Sequence, residues 1–278
     1  ARRRLHLGAE PPRKSDAASE LSEWEYLPTG WRKEESTTQG WNLPSIAEIQ
    51  RERWPEFLAM LQSTEPLGIS HESPLGAGRE SMWAHNLIAS YGYVLALSAR
   101  HNRSISMLDW GGGIGHYLPI SLALVPDLKI DYFCQDVPAL VKVGRELQPE
   151  ATFYDEPGEC FGRTYDLVVA GSSLWYVRDW KSAADKLAGS TSKYLYVTRM
   201  LFSKSATSFV AVQRPSPYGY DTEYQFWVLN RNEFLRQMNG SGMKLVREFI
   251  FGDGPEIPRA PEHATFRGFL FKQNRPAA

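Results

Sequence analysis

SISMLDWGGGIGHY, residues 104–117, places four glycines among five positions behind an apolar run that carries Asp109. Asp109, Gly111, Gly113 and Gly115 give the spacing DxGxGxG between a strand-like segment and a helix-like one. Glycine adopts positive φ at little steric cost and lets a ligand approach the backbone where a Cβ would block it. The helix start that follows offers unpaired N–H groups to a carboxylate or phosphate. The segment, with Gly112 inside it, therefore reads as a cofactor-binding turn. A dinucleotide fingerprint GxGxxG beginning at Gly111 requires Gly or Ala at 116, where the chain has His116. A nicotinamide-dependent oxidoreductase is accordingly the least favoured reading.

Outward from this turn, short β-type runs alternate with helical stretches: SISMLDW, KIDYFCQ, ATFY, YDLVVAG and KYLYVTR. That order predicts parallel strands joined by crossover helices. Asp136 or Asp179 can cap a helix start, and Gly189 suits a helix end. SFVAVQR, a helix near NRNEFLRQM, then MKLVREFIF and TFRGFLFKQ read as closing elements, the last two close enough to pair antiparallel. Before the turn, the apolar positions Ile46, Ile49, Phe57, Leu58 and Leu61 have helical spacing interrupted by Pro55, which predicts one kinked helix or two short ones. Trp83, Leu87, Tyr91, Val94 and Leu95 trace one face of a longer helix. Three regions are expected: a mobile tail (1–20), a helical and aromatic extension (21–75) and a Rossmann-like domain (76–278).

The 278-residue chain is 42 % hydrophobic with a net charge of −1, so no global field draws it to nucleic acid or an anionic membrane. Two cysteines, Cys134 and Cys160, are too few for a disulfide framework and lack metal-ligand spacing, which leads to the expectation of a reduced, cytoplasmic protein. No apolar run reaches the roughly 18 residues of a membrane span. The acidic residues are scattered, and no metal site is expected.

MLDWGGGIG resembles the glycine-rich motif of class I S-adenosylmethionine-dependent methyltransferases. The resemblance implies a mostly parallel seven-stranded α/β sheet with an antiparallel closing strand, S-adenosyl-L-methionine as cofactor, and a turn that wraps its methionine part. YFCQDVPALV is similar to the acid-x-Pro segment of many small-molecule O-methyltransferases, which gives Asp136 the ribose hydroxyls and places Val137 beside them. The plainer alternative is that Asp136 only caps a helix. Asp155, where the family's third strand ends, is an adenine-contact candidate or a loop residue, and Ser172 in GSSLWY sits at the pocket edge. The segments WEYLPTGW, QGW, FVAVQR, YQFWVLNRNEFLRQM and GMKLV together look like a family of bacterial methyltransferases associated with surface-polysaccharide genes.

Methyl transfer demands in-line positioning more than acid–base chemistry. An aliphatic hydroxyl acceptor nonetheless gains from a base, and His116, His85 and His71 are the histidines to examine. Arg199 and Gln213, at strand ends, can orient a polar acceptor. Trp175, Tyr176, Tyr218 and Tyr220 are compatible with stacking on a sugar, although such aromatics more often fill cores. GSSLWY departs from the DPPY-type turn of base-modifying N-methyltransferases, and neither cysteine follows a proline as in cytosine-C5 enzymes, so no nucleic-acid partner is expected. The expected activity is O-methylation of a sugar or glycoconjugate. A small aromatic or amine acceptor and a non-catalytic cofactor-binding scaffold are the alternatives, and a homodimer stays open.

Overall fold

The computed structural model describes residues 22–32, 40–68 and 80–274; the basic tail at 1–20 and His71 lie outside them. The chain begins with β1 (Trp24–Leu27), α1 (Pro44–Leu61) and α2 (Met82–Ala99). Strands and helices then alternate through β2 (Ser104–Trp110), α3 (Tyr117–Leu124), β3 (Lys129–Gln135), α4 (Pro138–Leu147), β4 (Thr152–Tyr154), β5 (Tyr165–Gly171), α5 (Trp180–Gly189) and β6 (Thr191–Ser203). It finishes with β7 (Phe209–Gln213), β8 (Tyr224–Asn230), α6 (Arg231–Gly240), β9 (Met243–Asp253) and β10 (Thr265–Gln273).

Seven strands form the expected sheet in the order β4-β3-β2-β5-β6-β10-β9, with β10 antiparallel to both neighbours. The five strands β2 to β6 run parallel. β5 shows why: Tyr165, Leu167, Val168, Val169 and Ala170 are all buried, the continuous apolar run that a strand covered on both faces requires. Successive strands run leftward from β2 and then rightward from β5. The loops leaving these two carboxyl ends therefore diverge and open a crevice at the switch point.

Three further strands lie outside the seven, and SFVAVQR is not one of the closing strands. It forms β7, sandwiched antiparallel between β1 and β8. Among the described residues, this ribbon pairs with the main sheet through Phe202↔Leu229 and Ser203↔Asn230. Phe202 also pairs with Thr265 of β10, so β8 occupies the other edge of β6, the one β5 leaves after pairing with Thr198. The ribbon thus stands beyond the carboxyl end of β5, beside the crevice.

α1 runs unbroken through Pro55 and buries Ile46, Gln50, Trp54, Phe57 and Leu61 on one face, packed against α3 and α4. α2 buries Leu87, Tyr91, Val94 and Leu95 as its periodicity predicts, and Ser81 caps it by accepting from the Ala84 N–H at 3.2 Å. Asp179 caps α5 through the Ser182 N–H, and Gly189 ends that helix.

Arg214, at the end of β7, fastens the ribbon. Its guanidinium donates to Glu25 at 2.6 Å and to Glu223 at 3.0 Å, and Arg32 also reaches Glu25 at 2.7 Å. The hydrogen bond from Arg214 holds the Glu25 carboxyl below its ordinary range. Because Arg214 is only 15 % exposed, its removal leaves Glu25 and Glu223 to Arg32 alone in a partly dry setting. Arg214→Met is expected to lower unfolding free energy by about 1–3 kcal/mol in urea titration, and a loss under about 0.5 kcal/mol would contradict this anchoring role.

Candidate cofactor and acceptor site

The β2–α3 turn holds Gly111, Gly113 and Gly115 at φ of 71°, 64° and 91°. Its start is pinned to β3, since the Gly111 and Gly112 N–H groups donate to the Gln135 carbonyl at 2.7 and 3.3 Å. The glycines serve different ends. A Cβ on Gly111 would overlap the Ser173 side chain, and one on Gly112 would overlap the Asp109 carboxyl and the Cys134 thiol. At Gly115 it would meet Gln148 and Phe153. At Gly113 its nearest neighbour would be the Gln50 Oε1 at 3.4 Å, so this residue presents open backbone to the crevice.

Asp136 follows β3 and faces the same crevice. Its Oδ2 accepts from the Gly113 N–H at 2.7 Å and its Oδ1 from the Val137 N–H at 2.6 Å. Val137, not Asp136, is the N-cap residue of α4. Burial pushes the Asp136 pKa up to about 6, against the lowering effect of those two N–H groups. Each carboxylate oxygen still has lone-pair capacity for a hydroxyl donor. Asp109 is different. It is fully buried beneath the turn, with Oδ2 accepting from the Tyr132 hydroxyl at 2.6 Å and Oδ1 unpartnered. Burial pushes its pKa to about 7 despite the Tyr132 hydrogen bond.

A cavity of about 1100 Å³ opens over the turn. Gly111, Gly112, Gly113, Asp136, Val137, Ser172, Trp175, Tyr176, Arg199, Gln213 and His116 all line it, so the fold gathers most of the residues singled out from the sequence. Tyr218 and Tyr220 line it as well. Four candidates fall elsewhere. Asp109 and Gly115 support the turn from below, and Asp155 pairs with Arg145 at 3.1 Å outside the cavity lining. His85 is exposed on α2, which turns Ala84, Leu87, Ile88 and Tyr91 inward instead.

The walls are aromatic. Trp41 stacks on Tyr224 with ring centroids 4.3 Å apart and meets Tyr176 edge-on. Trp175 is 4 % exposed and donates its indole N–H to the Ser172 carbonyl at 2.8 Å. His116 sits in the wall at the start of α3, edge-on to both Trp54 and Phe57 of α1. Gln213 is 9 % exposed at the end of β7.

One residue that the sequence gave no reason to select is Gln50 of α1. Gln50 is 3 % exposed and lines the cavity beside Gly113, and its buried Oε1 has no hydrogen-bond partner among the described residues. A buried amide oxygen without a partner is costly. A polar ligand edge lying against Gly113 would satisfy it, and in this respect the site fits an amino-acid-bearing nucleoside. Among the described residues, no group of three His, Cys, Asp or Glu side chains could hold a metal, and no helix is long and apolar enough to cross a membrane.

No protein-family model and no curated protein matches the chain. Solved structures do. A protein named as a candidate sarcosine dimethylglycine methyltransferase from Galdieria sulphuraria superposes with a TM-score of 0.51 at 13 % identity, over 83 % of this chain and 99 % of that one. Magnesium protoporphyrin IX methyltransferase from Synechocystis PCC 6803, with bound SAM, gives a TM-score of 0.47 at 12 % identity, over 85 % and 100 %. The 1,6-didemethyltoxoflavin-N1-methyltransferase of Burkholderia thailandensis gives 0.47 at 10 % identity, over 91 % and 100 %. At 13 % identity the likeness to the Galdieria protein concerns architecture alone, and the chain has the class I methyltransferase fold.

Proposed function

We propose that the protein is an S-adenosylmethionine-dependent methyltransferase that methylates a hydroxyl of a sugar or glycoconjugate. The observation that carries the cofactor reading is the pairing of exposed Gly113 backbone with the Asp136 carboxylate on the cavity floor. Ligand pockets ordinarily measure roughly 300–1,000 Å³. The cavity, at about 1100 Å³, offers room for an acceptor beside a nucleoside cofactor. Its Trp and Tyr faces suit the C–H faces of a sugar ring, which supports a glycan acceptor.

When bound, S-adenosylmethionine supplies an electrophilic methyl group on a sulfonium. The chain's own contribution is mainly to hold and orient. Asp136 accepts from the ribose hydroxyls, the Gly111–Gly113 backbone bears against the methionine part, and the Gln50 amide takes a polar edge. The ribbon and α1 wall the cavity, and their apolar faces strengthen the polar contacts made inside it. His116 is the only described histidine lining the cavity and is the candidate to receive the acceptor's proton.

Asp136→Ala is expected to weaken S-adenosylhomocysteine binding on the order of 100-fold in calorimetry. Equal affinity in wild type and variant would remove Asp136 from the site. The ionised carboxylate is the better acceptor, so wild-type affinity should fall as pH drops through about 6, whereas Asp136→Asn should show little such dependence. A flat wild-type profile between pH 5 and 8 would contradict the ribose role.

Gln50→Leu should move two readouts in opposite directions. Replacing a buried amide whose oxygen is unsatisfied with an apolar side chain should hold or raise the melting temperature of the ligand-free protein, while S-adenosylhomocysteine binding weakens roughly 5–10-fold. A variant that binds as tightly as wild type would show that the amide faces no cofactor atom.

A further inference from the structure

Among the described residues, four non-glycine residues have positive φ: His101, Ser172, Arg199 and Arg259. Two of these, Ser172 at 54° and Arg199 at 58°, line the cavity and bond to each other. The Ser172 hydroxyl donates to the Arg199 carbonyl at 2.9 Å, and the Arg199 Nε–H donates to the Ser172 hydroxyl oxygen at 2.9 Å. Such backbone is strained for residues other than glycine and collects at ligand clamps. Glycine would relieve it at either position, yet the chain carries a serine and an arginine.

The cause at Arg199 lies in strand pairing. Between Val197↔Phe269 and Met200↔Arg267, Thr198 and Arg199 of β6 face Gly268 alone on β10. This is a β-bulge, a device that re-aims a side chain out of the regular alternation. It occurs where β5 ends opposite Thr198, so the re-aimed side chain borders the crevice.

What is delivered there is a guanidinium without an ion-pair partner among the described residues. Among them, Ser172 Oγ is its only side-chain hydrogen-bond partner. The buried carboxylate that feels its charge, Asp109, is engaged by Tyr132 and makes no ion pair with it. No other described arginine lines the cavity. A guanidinium with its Nε edge fixed presents the remaining N–H groups as a fork suited to a carboxylate or phosphate.

Position assigns the fork to the acceptor. Asp136, the glycine turn and Ser172 follow β3, β2 and β5, and Arg199 lies within β6 just past the residue that pairs with the end of β5; these four adjacent strands span roughly 14 Å at the usual strand spacing. With the nucleoside at the β3 end, Arg199 lies at the far end, under the ribbon. We propose that Arg199, held by the bulge and by Ser172, is an anion clamp of the acceptor pocket, and that the acceptor carries a carboxylate or phosphate near the methylated hydroxyl. This names the acceptor class for the methyltransferase reading and rests on it.

Benzoate, phenyl phosphate and benzamide, fragments that carry the anion or lack it, are titrated into wild type, Arg199→Met and Arg199→Gly, with and without saturating S-adenosylhomocysteine. The glycine variant relieves the positive φ, so it separates lost recognition from lost folding. At least one anion should bind wild type about tenfold more tightly than benzamide, and both variants should lose that preference. Which anion wins distinguishes carboxylate from phosphate. Equal binding of benzamide and both anions, or an unchanged preference in the variants, overturns the clamp.

A second comparison guards the assignment. S-adenosylhomocysteine and 5′-methylthioadenosine, which lacks the amino-acid part, should each bind wild type and Arg199→Met alike. A tenfold loss confined to S-adenosylhomocysteine would give Arg199 to the cofactor's carboxylate and overturn the acceptor role. Failure of wild type to bind S-adenosylhomocysteine would count against the methyltransferase reading, while the anion series without it still judges the clamp.

Discussion

The hydrogen bond from the Gly113 N–H to the Asp136 carboxylate is the contact on which the site depends. It joins the turn after β2 to the residue after β3, so the bare backbone and the carboxylate keep one spacing. A second tie, from the Gly111 and Gly112 N–H groups to the Gln135 carbonyl, fixes the start of the turn. Beneath both, Tyr132 on β3 grips Asp109 on β2. Three contacts between the same two strands therefore set the floor, and positive φ at Gly111 and Gly113 lets the backbone follow it.

The roof comes from distant parts of the chain. β1 reaches the site region by pairing with β7, nearly two hundred positions away, and α1 contributes Gln50, Trp54 and Phe57 against His116 and Gly113. β6 outruns β5 by a few residues, and that excess length provides the attachment for β8. The bulge at Arg199 falls on the same stretch. Lengthening one strand beyond its neighbour thus supplies both the anchor of the ribbon and the side chain beneath it. The aromatic walls and a buried, unpaired amide oxygen make a polar ligand edge worth more inside the cavity than it would be in water.

Where the information was local, the sequence was readable. The spacing of Asp109, Gly111, Gly113 and Gly115 marked the turn, Asp136 marked the next strand end, and alternating apolar runs predicted parallel strands joined by crossover helices, while the seven-stranded sheet came from the family resemblance. The ribbon was harder because a four-residue strand such as WEYL has too little alternation to distinguish it from a loop. SFVAVQR looked like a strand and was one, but its partners are a property of pairing that no local pattern encodes. Gln50 resembled any polar residue on a helix until burial was known. Asp155 and His85 lie off the cavity lining for a related reason: position along the chain suggested proximity, whereas an arginine partner and helix rotation turn them elsewhere.

Arg199 shows the limit most clearly. As the last residue of KYLYVTR it read as a strand end, and only the mismatch of two residues facing one reveals that it is a bulge. The account as a whole is tested most directly by a crystal structure with S-adenosylhomocysteine. It predicts the ribose hydroxyls on the Asp136 carboxylate and the homocysteine chain along Gly111–Gly113. Density for the nucleoside elsewhere, or a turn covered by the protein's own side chains, would contradict it.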